Sequence, residues 1–461
     1  MKNKLFISIY CGLMILLASC NNYLDVKPKG KIIPETAEDF STIIHYWLDQ
    51  IEKGRDDVII PNPEVMTTLE MFADDLNATL ASNFGYTSIY VGSAINKNQV
   101  TYKTLYSVIK DCNMVIGNMD DTESDLARTL LGTAWSIRSI CYYNLMQRYC
   151  EPYQPETAKE TLGLPLVDDF DMEAKPARAN LKETAEFIEE GFRKALSYNV
   201  SNEDFIFTSS VTKAYFARFF FWTQNWSNAI TYAKEVLEKY PMLEADEYVE
   251  AINQKQAKAH NVIIRSFTMD DDIGTMSYAT AQADIKSRPV DRNLVDLFAA
   301  TDNDVRRKCN YDSKRIVNKI ITTKFRSEEL CLIIAEAHAH LNQETDALGY
   351  LNQLRSKRIT QDYIAYTIDN LPEVFQQNIK TDATGIPLTK LMSAILCERR
   401  KELFVEGDRW FELKRNGRPE FWVAAKGKKF ITEKYLYTFP IPKADIRLFP
   451  DLLIQNPGYI E

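Results

Sequence analysis

Apolar residues recur at helical intervals through most of this 461-residue chain. In "EDFSTIIHYWLDQI", Phe40, Ile43, Ile44, Trp47 and Ile51 fall three and four apart, which predicts a first packed helix over 38–51. Longer segments of the same kind follow: "YKTLYSVIKDCNMVIGNMD", "LARTLLGTAWSIRSICYYNLMQRY", "LKETAEFIEEGFRKALSY", "SSVTKAYFARFFFWTQNWSNAITYAKEVLEKYP" and "EELCLIIAEAHAHLNQETDALGYLNQLRSKR". They arrive as helix pairs. In the fourth, Phe216, Ala217, Phe220, Ala229, Ala233 and Pro241 stand at the offsets of a degenerate tetratricopeptide repeat, and Ala335, Ala347 and Leu351 repeat part of that register in the fifth. A small residue lets one helix approach its partner, and aromatics fill the gap to the next pair. A generic α-bundle produces a similar alternation from packing alone. The fold class expected is mostly α: tetratricopeptide-like helix pairs in an α-α superhelix, with long irregular binding loops and little β.

Three stretches break the helical pattern: Pro61 to Thr101, Val262 to Lys314, and Gly417 to the C-terminus. Long stretches without regular structure inside a compact domain tend to be functional. Recognition of a sugar face or a peptide side chain needs flat apolar surface bordered by carboxylate, amide and guanidinium groups. The first stretch offers Asp74, Asp75, Asn77, Phe84, Tyr86 and Tyr90, and the second Met276, Tyr278 and Arg288. These are the candidate ligand-binding residues. The third stretch holds Pro440, Pro442, Pro450 and Pro457, and Asn456-Pro457-Gly458 suits a turn with proline second and glycine third. Its expected role is to seal the surface.

The densest charge lies in "ERRKELFVEGDRWFELKR", residues 398–415. Written as a helix from about Leu391, it places Ile395, Leu396, Leu403 and Phe404 on one face and Glu398, Glu402 and Glu406 in an i, i+4 ladder beside Arg399 and Arg400. Gly407 then breaks the helix and Asp408 is placed to cap a second, whose Trp410, Phe411 and Leu413 turn inward. Ionic groups beside so much apolar surface read as part-buried pairs, so Arg399, Glu402, Glu406, Arg409 and Trp410 are expected to form a structural clasp.

The N-terminus joins a basic "MKNK" to an apolar run too short to span a bilayer comfortably, the pattern of an export signal. Its end, Leu17-Ala18-Ser19-Cys20, resembles the lipobox of bacterial lipoproteins, which makes Cys20 the lipidation site. The expected organisation is a signal peptide over 1–19, a lipidated tether over 20–37 and one domain over 38–461. The formal net charge of −9 becomes more negative once Lys2 and Lys4 are removed, so the positive field of a nucleic-acid binder is missing. No C-x-x-C pair occurs, and Cys141, Cys331 and Cys397 sit in apolar helical segments as small core residues.

Catalytic signatures are missing too: there is no G-x-S-x-G, no H-E-x-x-H, no phosphate-cradling glycine loop and no dinucleotide fingerprint. His338 and His340, two apart on a helix, point to different faces. Asp74-Asp75 and Asp270-Asp271-Asp272 imitate paired glycosidase carboxylates, but adjacency does not set the separation such catalysis requires. The second run offers the oxygen ligands calcium takes without EF-hand spacing, and reads as a solvated acidic turn. No enzyme, metal or cofactor is expected.

From its anchor to its end the chain resembles the SusD/RagB family of outer-membrane nutrient-binding lipoproteins. The resemblance rests on Cys20-Asn21-Asn22-Tyr23-Leu24-Asp25-Val26, "YKTLYSVIKDCNMVI", "LGTAWSIRSICYYNLMQRYCEPY" leading to "GLPLV", "AEAHAHLNQETDALGYLNQLRSKR", "ERRKELFVEGDRWFELKRNG" and "FPIPKADIRLFPDLLIQNPGY". It implies a lipid-anchored protein on the outer face of a Gram-negative outer membrane, the lid of a SusC-like TonB-dependent barrel transporter. Such a protein captures oligosaccharides or peptides without turnover or cofactor. The two loops lack tryptophan, which argues against a large glycan platform. Rival readings are a peptide ligand on the same fold, a protein-binding surface scaffold and a lipoprotein hydrolase.

Overall fold

The first predicted helix forms as α1, Ala37–Glu52, and buries Phe40, Ile44, Leu48 and Ile51 along one stripe. A computed structural model describes residues 34–52, 59–82, 91–97, 101–170, 175–254, 259–266, 274–298, 303–321 and 324–459. The leader, Cys20 and most of the tether lie outside them.

The paired helices follow where the periodicity puts them. They are α3 (Tyr102–Asn118), α4 (Asp125–Tyr149), α5 (Leu181–Ser197), α6 (Ser209–Trp222), α7 (Trp226–Lys239), α12 (Ser327–His340) and α13 (Glu344–Ser356). Local chemistry starts them: Ser124 Oγ accepts from Ala127 N at 3.2 Å, and Asn180 and Glu183 close a capping box ahead of α5. In α6 and α7 the tetratricopeptide positions do what the pattern requires. Ala229 and Ala233 are fully buried, and the Phe216 ring stacks on Phe220 at 4.2 Å and meets Tyr232 at 4.7 Å. Helix α12 packs against both α13 and α7, joining one pair to the next.

The stretches expected to be irregular hold short elements. In the first, α2 (Pro63–Phe72) begins with Asn62 Oδ1 accepting from Val65 N at 3.0 Å and with proline in its first turn. The second contributes β3 (Val262–Arg265), α9 (Gly274–Lys286), α10 (Arg292–Val295) and α11 (Val305–Asn310). The third opens with the hairpin β5 (Phe421–Ala425) and β6 (Lys428–Thr432), followed by α16 (Lys443–Leu448). Short α8 (Ala245–Ile252), α14 (Lys390–Glu402) and α15 (Arg409–Arg415) complete the helices, and β1 (Leu162–Pro165), β2 (Arg178–Asn180) and β4 (Lys324–Arg326) the strands. The sheets described are two-stranded and antiparallel: β1 with β2, β3 with β4, β5 with β6.

Cys112, Cys150, Cys309 and Cys331 are buried free thiols, Cys141 is buried, and Cys397 is partly buried. Among the described residues no helix is long and apolar enough to cross a membrane. His338 bonds Gln343 and His340 stacks on Trp226 at 4.1 Å, so both imidazoles pack within the helix pairs.

Candidate functional site

The charged stretch 398–415 is buried, and its partners come from distant segments. Glu402 accepts from Arg326 at 3.0 Å and from Arg358 at 3.0 and 3.1 Å, with Arg306 at 3.4 Å. Glu398 accepts from Arg306 at 2.6 Å and from Lys401, and Glu406 from Lys319 at 2.6 Å and Arg326 at 2.8 Å. Burial alone would raise the Glu402 carboxyl, but three guanidinium groups overcome it and hold it well below the usual range. The buried ion pairs expected of this stretch are therefore present, with different wiring. The i, i+4 ladder does not form, since α14 ends at Glu402 and Glu406 lies beyond it; along the helix itself Glu398 pairs with Lys401. Asp408 makes no side-chain cap on α15 because it accepts from Arg399 Nε at 2.8 Å instead. Gly407, at φ +78°, does not break the helix, which already ends at Glu402 with Leu403 as its C-cap; it lies in the turn before α15 and donates its N–H to Glu70 Oε1 at 2.7 Å.

Two predicted ligand-binding carboxylates belong to this clasp. Asp74 Oδ1 accepts from Arg409 Nε at 2.7 Å, and Asp75 Oδ1 from Arg400 Nε at 2.6 Å. Burial opposes ionisation of Asp74, yet Arg409 and Arg400 carry it well below the usual range, while at Asp75 burial dominates and raises it. These side chains are enclosed and occupied, so they fasten the first stretch to α14 and α15 rather than line an open surface. Arg288 is also corrected. It is 1 % exposed, and its Nη1 donates to the Met71 carbonyl at 3.0 Å.

The same clasp brings the two predicted loops together. Leu76 bridges Val290 antiparallel, Asn77 N donates to Pro289 O at 2.8 Å, Asp291 N to Asp75 O at 2.7 Å and Ser82 N to Ser287 O at 2.7 Å. Asn77 accepts from Leu80 N and donates to Asp291 Oδ2, both at 3.1 Å. Tyr278 is nearly enclosed in a small core with Leu76, Val290 and Phe404, its hydroxyl on Gln282 at 3.0 Å. Phe84, Tyr86 and Tyr90 lie outside the described residues, as do Asp270-Asp271-Asp272 and the Met276 side chain.

What the sequence reading missed is the third contributor. The hairpin β5–β6 lies against the 3₁₀ turns Ala78–Leu80 and Gly92–Lys97 of the first stretch. Ala425 packs on Ala78 and Val91, with Val423 and Phe430 beside them. At Gly92 (φ +46°) an added Cβ would sit 2.6 Å from Ile431 N, so only glycine admits so close an approach. Strand alternation then turns Trp422, and its cross-strand partner Ile431, outward. Trp422 is 60 % exposed, and Leu80, in the adjoining turn, 54 %. The first stretch thus contacts both the second stretch and the hairpin, and the hairpin supplies the exposed indole that the two predicted loops lack.

Two cavities lie elsewhere. One of about 110 Å³ is walled by clasp residues such as Arg399, Asp408 and Glu412. The other, about 680 Å³, lies among Ile51, Ile206, Val211, Tyr240, Ile263 and Arg265, a volume suited to a small molecule. None of the predicted ligand-binding residues lines either one.

Comparison with known families places this arrangement. Residues 22–221 match a family described as starch-binding and associating with the outer membrane, and residues 305–459 match the SusD family. Among solved structures, a SusD superfamily protein from Bacteroides vulgatus is 18 % identical with a TM-score of 0.73, over 93 % of this chain and 100 % of its own. A SusD superfamily protein from Bacteroides thetaiotaomicron is 18 % identical with a TM-score of 0.70, over 92 % and 100 %. A laminarin-binding SusD-like protein is 16 % identical with a TM-score of 0.62, over 92 % and 99 %. At such identities the likeness is one of fold. No curated protein matches the chain.

Proposed function

We propose, from the premise that this chain belongs to the SusD/RagB family, that it is a non-catalytic surface lipoprotein that captures oligosaccharides and delivers them to a SusC-like TonB-dependent barrel transporter. The observation that carries the reading is the exposed Trp422 ring on the hairpin that packs against the first irregular stretch. A sugar presents C–H groups on one face, which an indole covers well, and hydroxyls at its rim, which the neighbouring polar groups can meet. The laminarin-binding relative supports a glycan over a peptide. Cleavage of the signal over 1–19 and lipidation at Cys20 would hold the protein at the outer membrane, an association that the family description also supports.

The test is a calorimetric screen of the purified full chain against glucan oligosaccharides, acidic oligosaccharides and mixed peptides, with affinity isolation of the chain from outer membranes. Binding to at least one glycan and co-isolation of a barrel transporter are expected. Saturable binding of peptides alone would transfer the site to the peptide-binding alternative. Turnover of any bound class would overturn the non-catalytic reading.

A further inference from the structure

In a chain of net charge −9 the hairpin that carries Trp422 is locally cationic. Lys426, Lys428 and Lys429 crowd its turn, Lys434 follows it, and all four are exposed. Among the described residues none of them is ion-paired, whereas Lys319 and Lys401 of the clasp are. Lys429 stands on the outer face with Trp422, its Nζ 5.1 Å from the centre of the indole ring. Lys426 and Gly427 form the two-residue turn, with φ of +50° and +69°. Turns of that hand favour asparagine or glycine first, and a lysine there is strained. The turn therefore holds a cation where a neutral residue would sit with less strain.

We infer that the outer face of this hairpin is a subsite for an acidic sugar. Trp422 covers the apolar face of a hexuronate or sulfated hexose, and Lys429 meets the carboxylate or sulfate, with Lys426 and Lys428 at the turn adding to the local positive field. Unpaired lysines in an otherwise acidic protein select an anion, and the ring fixes it as part of a pyranose rather than a free ion. The occupant is a soluble oligosaccharide. The inference rests on the glycan reading and adds the charge class of the ligand.

Titration of the full chain with a linear hexuronate oligosaccharide and a neutral gluco-oligosaccharide of equal length, at low and high salt, tests it. The acidic ligand should bind about tenfold tighter at low salt, and the preference should shrink at high salt. Lys428→Gln/Lys429→Gln should erase the preference, and Trp422→Ala should weaken the acidic ligand about tenfold or more, with Trp422→Phe retaining most of the affinity. Equal affinity for both ligands, or an unchanged Trp422→Ala, overturns the subsite and leaves the glycan reading standing. Binding of anionic lipopolysaccharide vesicles, without binding of the free hexuronate, overturns it in favour of a membrane contact. No binding of either oligosaccharide, nor of any glycan in the wider screen, sinks the glycan reading itself.

Discussion

Trp410 and Trp422 lie close together in the chain, yet one closes the core and the other faces water. Trp410 is 1 % exposed, stacked on Tyr437 at 4.4 Å and against Phe72 at 5.3 Å. Trp422 is 60 % exposed, with Lys429 over its ring. The cations around them differ in the same way. Around Trp410, arginines are matched carboxylate by carboxylate, and around Trp422 the lysines are left unmatched. Matched, desolvated charge specifies one geometry, whereas unmatched, solvated charge remains available to a ligand.

The sharpest way to break this contrast is Glu402→Ala, which would take a shared carboxylate from three buried guanidinium groups. A loss near the upper end of about 3–5 kcal/mol is expected in chemical denaturation, and a loss below about 1 kcal/mol would deny the clasp its structural role. Trp410→Ala comes next, at about 3 kcal/mol, because its aromatic neighbours cannot close the cavity it leaves.

Glu70 sharpens the picture through pH. Burial, and then Asp75, raise its carboxyl from 4.5 to about 8. The folded protein keeps a proton that the unfolded chain releases near 4.5, so this group's stabilisation is complete below that pH and lost as pH rises to about 8. Glu70→Gln retains an acceptor for Gly407 N–H and removes the titration. Melting temperature should then fall less steeply between those values than in the parent, by a slope of up to roughly 1 kcal/mol per pH unit. Identical slopes would mean that Glu70 is ionised in the folded state. The smallest effect on stability belongs to Trp422→Ala, within about 0.5 kcal/mol of the parent. A cooperative loss of folding there would make the two tryptophans alike.

The long helices were legible because their signal is local. Phe216, Phe220, Ala229 and Ala233 announce their own packing by spacing alone. Helix α2 went unread although its signals were present, Asn62 as cap and Pro63 in the first turn, inside a stretch dominated by loop residues. The hairpin went unread for a different reason. Its strands are rich in aromatic and branched residues, but its turn is Lys-Gly rather than the asparagine-glycine or aspartate-glycine that marks such turns. Asp74 and Asp75 misled because an acidic pair before a loop looks the same whether water or arginine will face it.

By itself the sequence determined the helical scaffold and the family to which the chain belongs, since each depends on residues a few positions apart. It also singled out 398–415 as a dense run of charge beside apolar positions. Only the tertiary structure decided which charges are consumed and which remain free. Arg409 and Asp74 meet across 335 positions, and the outcome of that meeting turns on burial, which no local pattern encodes. The same folding that enclosed those carboxylates set the hairpin on the first stretch, and so left Trp422 and its lysines facing the solvent.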